Sequence, residues 1–240
     1  MSKTTTLLNR VIGFKMNIRL IQAIFIIFLT AVFVIVSVGS YAENVTRIIA
    51  DNLIRFHVVA NSDSTEDQQL KMLVRDNIIE YMNCMLKDSK NIQHTRRIIA
   101  ENIPIIENIA QQQIKKSGRD YKVSVSLGEF AFPTKVYGDV ALPAGKYEAL
   151  QIVIGEGTGK NWWCVLFPPL CFIDATHATI PESVKNDLKQ VLPADEYNMI
   201  TTAIHPDKVP IRIKFKIVEM YQQSQIKIAG KLSKLIMMTQ

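Results

Sequence analysis

A short run of polar side chains has the chemistry of a hydrolytic or metal-binding site. Residues 61–64 read Asn-Ser-Asp-Ser, Asp67 follows within a helical turn, and His57 precedes the run. Two carboxylates could exchange protons with a substrate, and a serine could act as a nucleophile if His57 reached it as a base. The same residue types cap helices, with acids favoured in the first turn. We favour the cap, and a hydrolase that uses the Asp63/Asp67 region or Cys164 stays the alternative.

A glycine-rich stretch, Gly155-Glu-Gly-Thr-Gly-Lys-Asn161, is the second chemical candidate. A phosphate-binding P-loop needs a glycine, four further residues and then Gly-Lys followed by Ser or Thr. Here Ile154 stands at the first glycine position and Asn161 at the Ser/Thr position. A nucleotide site is therefore not predicted, and the stretch is expected to form a turn.

The three cysteines and four histidines offer few metal ligands. The histidines lack the spacing that zinc sites use, so neither a metal nor another cofactor is predicted. Cys164 and Cys171 flank Pro168-Pro169, and a turn there could bring the two thiols together as a disulfide if the chain is exported. Cys84 falls at an apolar position of a predicted helix, where a buried thiol is expected.

The amino end carries the signal that decides where the rest of the chain works. Residues 20–38 form a 19-residue apolar stretch behind four basic residues, and no acidic residue precedes Glu43. Such a pattern is typical of an export leader whose basic end stays in the cytoplasm. The stretch is longer than most signal sequences and just long enough to span a bilayer. Cleavage after Ala42 and retention as an anchor both stay open.

The exported part has little net charge. Four of the 28 basic residues precede residue 43 and none of the 22 acidic residues does, so residues 43–240 carry a formal charge of +2. A basic surface for nucleic acid is therefore not expected. We predict a leader over 1–42, one domain over 43–178 and a C-terminal extension over 179–240.

Residue periodicity predicts the elements that position the polar run. The β-branched segment 53–60 predicts a strand that ends at residues 61–64. A helix then starts with Ser64 as N-cap, and apolar residues at three- and four-residue steps give it one buried stripe. The stripe consists of Leu70, Leu73, Val74, Ile78, Met82, Met85 and Leu86. The opposite face is polar and consists of Lys71, Arg75, Asp76 and Glu80.

The next segments add a second helix and a strand. The helix is predicted over about 95–116, with a kink or two helices meeting near Asn102 because Pro104 lies inside it. Ser117-Gly118 ends it. Alternating apolar and polar residues over 121–127 then predict a half-buried strand.

The remaining pattern completes the predicted fold. Pro143-Ala-Gly145 predicts a turn that joins 135–142 to 146–154 in a hairpin, and a late strand is expected over 211–217 before a helical or frayed end. The predicted fold class is α+β: an N-terminal signal or membrane helix, then a mixed or antiparallel sheet packed by two main helices.

The segment 161–174 is the strongest oddity of composition. Two tryptophans, a Phe-Pro-Pro-Leu turn and two cysteines stand within it. One interpretation is a loop that anchors the core and is closed by a Cys164–Cys171 disulfide. The other is an exposed recognition edge that presents Phe167 and Leu170, because rigid aromatic side chains dominate many interfaces. The two interpretations are compatible.

Two long motifs are similar to those of a known family. Residues 54–64 (Ile-Arg-Phe-His-Val-Val-Ala-Asn-Ser-Asp-Ser), with helix residues up to Asp76, resemble the first motif of the stage II sporulation protein R family. Residues 142–150 (Leu-Pro-Ala-Gly-Lys-Tyr-Glu-Ala-Leu) and 161–171 (Asn-Trp-Trp-Cys-Val-Leu-Phe-Pro-Pro-Leu-Cys) resemble its second. The family also carries an export leader.

The resemblance implies a role in endospore formation. Members of that family are made in the forespore and exported into the space between the two membranes. There they activate a mother-cell membrane protease of the aspartic type, which cleaves the inactive precursor of sigma factor E. The resemblance implies this partner and this place for the present chain, whether secreted or anchored by residues 1–42. It implies no active site, and the rival hypotheses are a hydrolase and an anchored structural protein.

Two surfaces are predicted to contact the protease. One is polar and lies at the start of the first long helix, and the other is aromatic. Removal of an aromatic side chain such as Trp163 or Phe167 is expected to abolish activation and leave a folded protein. The polar surface comprises Asn61, Ser62, Asp63, Asp67, Lys71, Arg75 and Asp76, and the aromatic surface comprises Trp162, Trp163, Phe167, Pro168, Pro169 and Leu170.

Overall fold

The computed structural model describes residues 18–89, 91–172 and 179–202. The chain is α+β, which confirms the predicted fold class. The predicted late strand at 211–217 and the helical end lie outside the described residues. The helices are α1 (Ile18–Asp51), α2 (Thr65–Leu86), α3 (Ile92–Lys116), α4 (Glu182–Val191) and α5 (Ala194–Thr202). The strands are β1 (Ile54–Val59), β2 (Val123–Phe132), β3 (Lys135–Tyr137), β4 (Val140–Leu142), β5 (Gly145–Ile154) and β6 (Asn161–Phe167), with a 3-10 turn at Leu170–Phe172.

The apolar leader forms most of α1. The chain divides into two compact units, Met1–Ala42 and Glu43–Gln240. Leu20–Asp51 is long and apolar enough to cross a membrane, and no second helix in the part of the chain that the structure describes has these properties. A retained anchor and a signal sequence share this length and composition near an N-terminus. The helix therefore fits both outcomes predicted for the leader.

Strand β1 lies inside the sheet of the second unit. The strand order is β2–β5–β1–β6, with β1 parallel to β5 and antiparallel to β6, and β2 antiparallel to β5. All six residues of β1 are buried, because both faces of the sheet are covered. Side chains alternate along a strand, so Phe56 and its neighbours two residues away enter one face, whereas Arg55 and His57 enter the other.

Helices α2 and α3 cover the first face of the sheet. Their buried residues recur at three- and four-residue steps, which is the spacing of one helix face. Each fully buried aliphatic side chain contributes roughly 1.5–3 kcal/mol relative to an exposed one. This core includes Leu70, Val74, Ile78, Met82, Ile99, Ile106, Ala110 and Ile114 from the helices and Ile54, Phe56, Val58, Leu150 and Ile152 from the strands.

Several short elements cover the second face. The end of α1, the β3–β4 hairpin, α4 and α5 form one apolar cluster with residues of β2, β5 and β6. The described part of the predicted C-terminal extension therefore shares a core with the sheet. The cluster includes Val45, Ile49, Leu53, Phe132, Val140, Leu142, Tyr147, Val165, Leu170, Ile180, Val184, Leu188, Leu192 and Ile200.

The predicted hairpin between 135–142 and 146–154 is wrong. Strand β3 pairs with β4, with Lys135 opposite Leu142. Strand β5 pairs with β2 on one side and with β1 on the other. Turn residues mark where a chain changes direction, but the choice of neighbouring strand depends on which faces become buried. The turn at residues 143–144 instead leads the chain from the small hairpin into the main sheet.

Helix α3 continues through Pro104, so the predicted alternative of two helices meeting near Asn102 is wrong. An interior proline costs about 3 kcal/mol, because it removes one backbone hydrogen bond and crowds the preceding turn. Ile99 and Ile106 are fully buried on either side of it. Their burial against the sheet offsets that cost.

The buried stripe of α2 is narrower than predicted. Leu73 and Met85 are exposed, and Cys84 is exposed rather than a buried thiol. Lys71, which was assigned to the polar face, is buried. The helix meets the sheet along one line of residues four apart, from Leu70 to Met82. Apolar residues one step beside that line therefore stay in solvent.

The loop after β1 and the loop after β5 lie against each other. The amide of Gly159 donates to the carbonyl of Ala60 at 3.0 Å, and the amide of Thr158 donates to the carbonyl of Asn61 at 3.2 Å. A Cβ atom at Gly159 would lie 2.2 Å from the carbonyl oxygen of Ser62. The glycine-rich stretch is therefore a structural turn whose backbone must approach residues 60–62 closely.

We expect Gly159→Ala to lower the free energy of unfolding by about 2 kcal/mol or more, because backbone atoms must separate to admit the methyl group. Gly128→Ala is the matched control, since a Cβ there meets only the Phe130 ring at 3.7 Å. Gly128→Ala should change the free energy of unfolding by about 1 kcal/mol or less. Urea unfolding of the detergent-solubilised full chain measures both. Equal effects of the two substitutions would contradict the close approach of the loops.

Candidate functional site

Asp67 holds the polar run in place. Its Oδ2 atom accepts hydrogen bonds from Asn61 Nδ2 at 2.8 Å and from Ser62 Oγ at 2.5 Å. Its backbone amide donates to Ser64 Oγ at 3.2 Å, so Ser64 is the N-cap of α2. The predicted cap is confirmed, and Asp67 is a buried carboxylate that orders the loop before the helix.

The ionisation of Asp67 suits this structural role. Burial alone would raise the pKa of Asp67, but hydrogen bonds from Ser62, Asn61 and Tyr121, with the charge of Arg119, outweigh burial and hold the pKa below its usual value. The carboxylate is therefore ionised at neutral pH and has no proton to give as a general acid. This arrangement favours the cap over the paired-carboxylate chemistry of the hydrolase alternative.

Asp63 and Lys71 join the polar run to the loop after β5. Asp63 Oδ1 accepts a hydrogen bond from the amide of Lys160 at 2.7 Å. Lys71 Nζ donates to the carbonyl of Lys160 at 3.0 Å and to Gln68 Oε1 at 2.7 Å. Burial, with the charges of neighbouring basic residues, lowers the pKa of Lys71. Asp63 thus connects the two loops, Lys71 connects α2 to the loop after β5, and the buried Lys71 is not a surface contact in the folded chain.

The structure brings together members of the two predicted surfaces at Arg75 and Trp162. The Arg75 guanidinium lies over the Trp162 ring, 4.9 Å from its centroid, which is a cation–π arrangement. Trp162 also meets Phe56 edge-on at 5.7 Å. Arg75 Nη1 donates to Met72 Sδ at 3.2 Å, and Arg75 forms an ion pair with Asp76. We call Met72, Arg75, Asp76 and Trp162 the Trp162 surface.

The Trp162 surface is partly open to solvent. Met72 is 37% exposed, Asp76 is exposed, and Trp162 and Arg75 are half-buried. In the cation–π contact the guanidinium of Arg75 lies over one face of the Trp162 ring. Arginine and tryptophan are the residue types most often found as energetic centres of protein interfaces.

The rest of the predicted aromatic surface is buried or half-buried, and Trp163 is half-buried against the second face of the sheet. Trp163 stacks on His57 with ring centroids 3.9 Å apart and meets Phe132 at 4.7 Å. Phe167 and Leu170 are buried, so the prediction that they are presented to a partner is wrong. The segment is strand β6 rather than a loop, and its alternate side chains enter the two cores. Pro168 is also buried, and Pro169 is half-buried.

Cys164 and Cys171 form the predicted disulfide, with Cα atoms 5.5 Å apart. It closes the turn between β6 and the 3-10 turn that follows. A sulfur in a disulfide is not a thiolate nucleophile, so the hydrolase alternative loses Cys164. In the described ranges, no three His, Cys, Asp or Glu side chains lie close enough to hold a metal ion.

Sequence reasoning missed a polar cluster on the second face of the sheet. His57 Nδ1 lies 3.2 Å from Gln151 Nε2, and its ring stacks on Trp163 rather than approaching Ser62. Burial lowers the pKa of His57, the charge of Arg55 adds to this, and a hydrogen bond with Asn161 opposes it. The histidine is therefore a neutral core residue. The alternation of side-chain direction along β1 was the sequence signal that could have placed His57 on this face of the sheet.

Arg55 is the second member of this cluster. It is fully buried, with its guanidinium carbon 4.1 Å from the Phe132 ring centroid and 4.8 Å from that of Tyr147. Its Nη2 donates to Tyr137 Oη at 2.7 Å. Burial raises the pKa of Tyr137 although the charge of Arg55 opposes it, so Tyr137 is a neutral phenol at physiological pH.

Comparison with known proteins shows which protein family the chain resembles. The family model for stage II sporulation protein R matches residues 50–177. The stage II sporulation protein R of Bacillus subtilis (strain 168) is 44% identical over 144 residues, which cover 60% of this chain and 63% of that relative. The alignment thus spans less than two thirds of the relative's length. No solved structure matches. Because the family model covers more than half of the sequence, this chain belongs to the stage II sporulation protein R family.

Proposed function

We propose that this protein is an exported sporulation signal that activates a membrane-embedded aspartic-type protease of the mother cell, which then cleaves the precursor of sigma factor E. Its body acts in the space between the forespore and mother-cell membranes, either free or anchored by α1. Membership of the stage II sporulation protein R family is the observation that carries this proposal.

Two features of the chain support export. A helix of membrane-spanning length precedes the folded body. That body contains a disulfide between Cys164 and Cys171, and disulfides persist in compartments outside the reducing cytosol. Together they suit a protein whose working surface lies beyond the membrane of the cell that makes it.

Activation is proposed to occur by binding. A bound protein shifts the equilibrium between inactive and active protease only by its difference in affinity for the two states. A shift from mostly inactive to mostly active requires a difference of several kcal/mol. Such a difference needs a preorganised contact with a few strong anchor residues.

The Trp162 surface meets these requirements better than the other predicted contacts. Arg75 and Trp162 are held against each other and are open on one side. The hydrogen bonds around Asp67 and between Asp63 and Lys160 fix the loops beside them. We therefore assign the contact to the Trp162 surface and a supporting role to the residues of the polar run.

We expect Arg75→Glu to reduce cleavage of the sigma-E precursor about tenfold or more in cells that produce the protease and this chain, a loss that corresponds to about 1.4 kcal/mol. The charge reversal removes the contact with Trp162 but leaves the core intact. Arg97→Glu, at an exposed position of α3, is the matched control and should leave cleavage unchanged. Trp162→Ala should reduce cleavage in the same assay. Full cleavage with both Arg75→Glu and Trp162→Ala would refute the assignment of this surface.

Removal of Trp163 or Phe167 was expected to abolish activation and leave a folded protein, but the packing of these residues alters that expectation. Phe167 is buried, and the half-buried Trp163 stacks on His57. Their truncation would remove core contacts, at roughly 3–5 kcal/mol for a large buried aromatic residue. Loss of activation in a Phe167→Ala variant would therefore report unfolding rather than a lost partner contact.

A further inference from the structure

Arg55 poses an energetic problem for the fold. It is one of the largest fully buried side chains among the described residues, and an arginine keeps its charge in any protein environment. Buried cations are ordinarily paired with a carboxylate, because the lost hydration is otherwise not replaced. Arg55 takes part in none of the ion pairs among the described residues. Those pairs join Arg75 to Asp76, Arg96 to Glu148, and Lys185 to Asp139 and Glu182.

The contacts of Arg55 provide acceptors for Nη2 and Nε but not for Nη1. Nη2 donates to the Tyr137 hydroxyl at 2.7 Å, and Nε donates to the carbonyl of Cys164 at 3.4 Å. Nη1 is buried and has no hydrogen-bond partner in the described part of the chain. The rings of Phe132 and Tyr147 cover its carbon. Aromatic faces attract a cation, but they do not replace the acceptors that a fork of N–H groups requires.

The group that closes this site stands on a small separate element. Tyr137 belongs to the β3–β4 hairpin, whose strands have three residues each and are not part of the main sheet. The preceding residue, Val136, is 58% exposed and faces away from the core. The hairpin is fastened to α4 by the ion pair between Asp139 and Lys185 at 2.7 Å. A partner that engages the outer side of the hairpin therefore acts on the same element that covers Arg55.

We propose that Arg55 is a carboxylate-binding site closed by Tyr137, in which an Asp or Glu carboxylate of a partner protein displaces the Tyr137 hydroxyl and accepts hydrogen bonds from Nη1 and Nη2. A carboxylate matches the two parallel N–H donors of a guanidinium, whereas the Tyr137 hydroxyl accepts from Nη2 and not from Nη1. The exchange gives Nη1, which has no acceptor among the described residues, a hydrogen-bond partner and gives the buried cation a counter-charge. The identity of the partner as the membrane protease rests on the proposed function, but the carboxylate site itself does not.

Sodium formate is the smallest probe for this site. The full chain in detergent is titrated with formate at constant ionic strength, and the midpoint of thermal unfolding is recorded. A ligand of the folded state raises that midpoint, and we expect a rise of about 2 °C near saturation. Arg55→Met should abolish the rise, and Arg97→Met, a matched loss of one exposed arginine, should retain it. Arg55→Met should also unfold no earlier than the wild type, because an apolar side chain replaces an incompletely paired ion.

Tyr137→Phe provides a test that does not require the loss of Arg55. It removes the competing hydroxyl, so formate should bind Tyr137→Phe about tenfold more tightly than the wild type, in keeping with one hydrogen bond of about 1.4 kcal/mol. An equal formate response in Arg55→Met and wild type, or no gain in Tyr137→Phe, would overturn the carboxylate site. These measurements contain no protease, so their outcome is independent of whether the proposed activation is correct.

Discussion

Burial of β1 on both faces is the constraint on which the rest of the fold depends. Its apolar residues require the α2–α3 layer, whereas Arg55 and His57 require aromatic and polar neighbours from β3, β5 and β6. Its carboxyl end leads directly into the loop that Asp67 orders. One strand thus determines both cores and the position of the polar run, since a central strand cannot shift without moving every side chain that it places.

The features predicted from sequence are those encoded by neighbouring residues. The strand at 53–60, the N-cap at Ser64, the helix after it and the turn that pairs Cys164 with Cys171 each depend on a few adjacent side chains, and all were confirmed. Asp67 illustrates the limit of such signals. Its position in the first turn of α2 indicated a helix start capped by Ser64. Its hydrogen bonds with Asn61 and Ser62, however, depend on the path of the loop. The sequence thus identified the polar residues but not the hydrogen bonds that join them.

The features that sequence reasoning missed depend on contacts between distant segments. Strand β5 pairs with β1, about ninety positions away along the chain, and no local pattern specifies that neighbour. Distant segments also cover two basic side chains: rings from β2 and β5 cover Arg55, and the loop at Lys160 contacts Lys71, which was predicted on the polar face of α2. Strand β6 resembled a loop because both of its faces are apolar and prolines follow it, which hides the alternation of a half-exposed strand.

The Trp162 surface, to which α2 supplies the guanidinium and β6 the indole ring, is the proposed contact with the protease. Site-specific photo-crosslinking in sporulating cells measures the contact most directly. A photoreactive residue in place of the exposed Met72 is predicted to capture the membrane protease, whereas one in place of Ile105, which is 47% exposed on α3, is predicted not to. Capture from position 105 and none from position 72 would contradict a contact through the Trp162 surface.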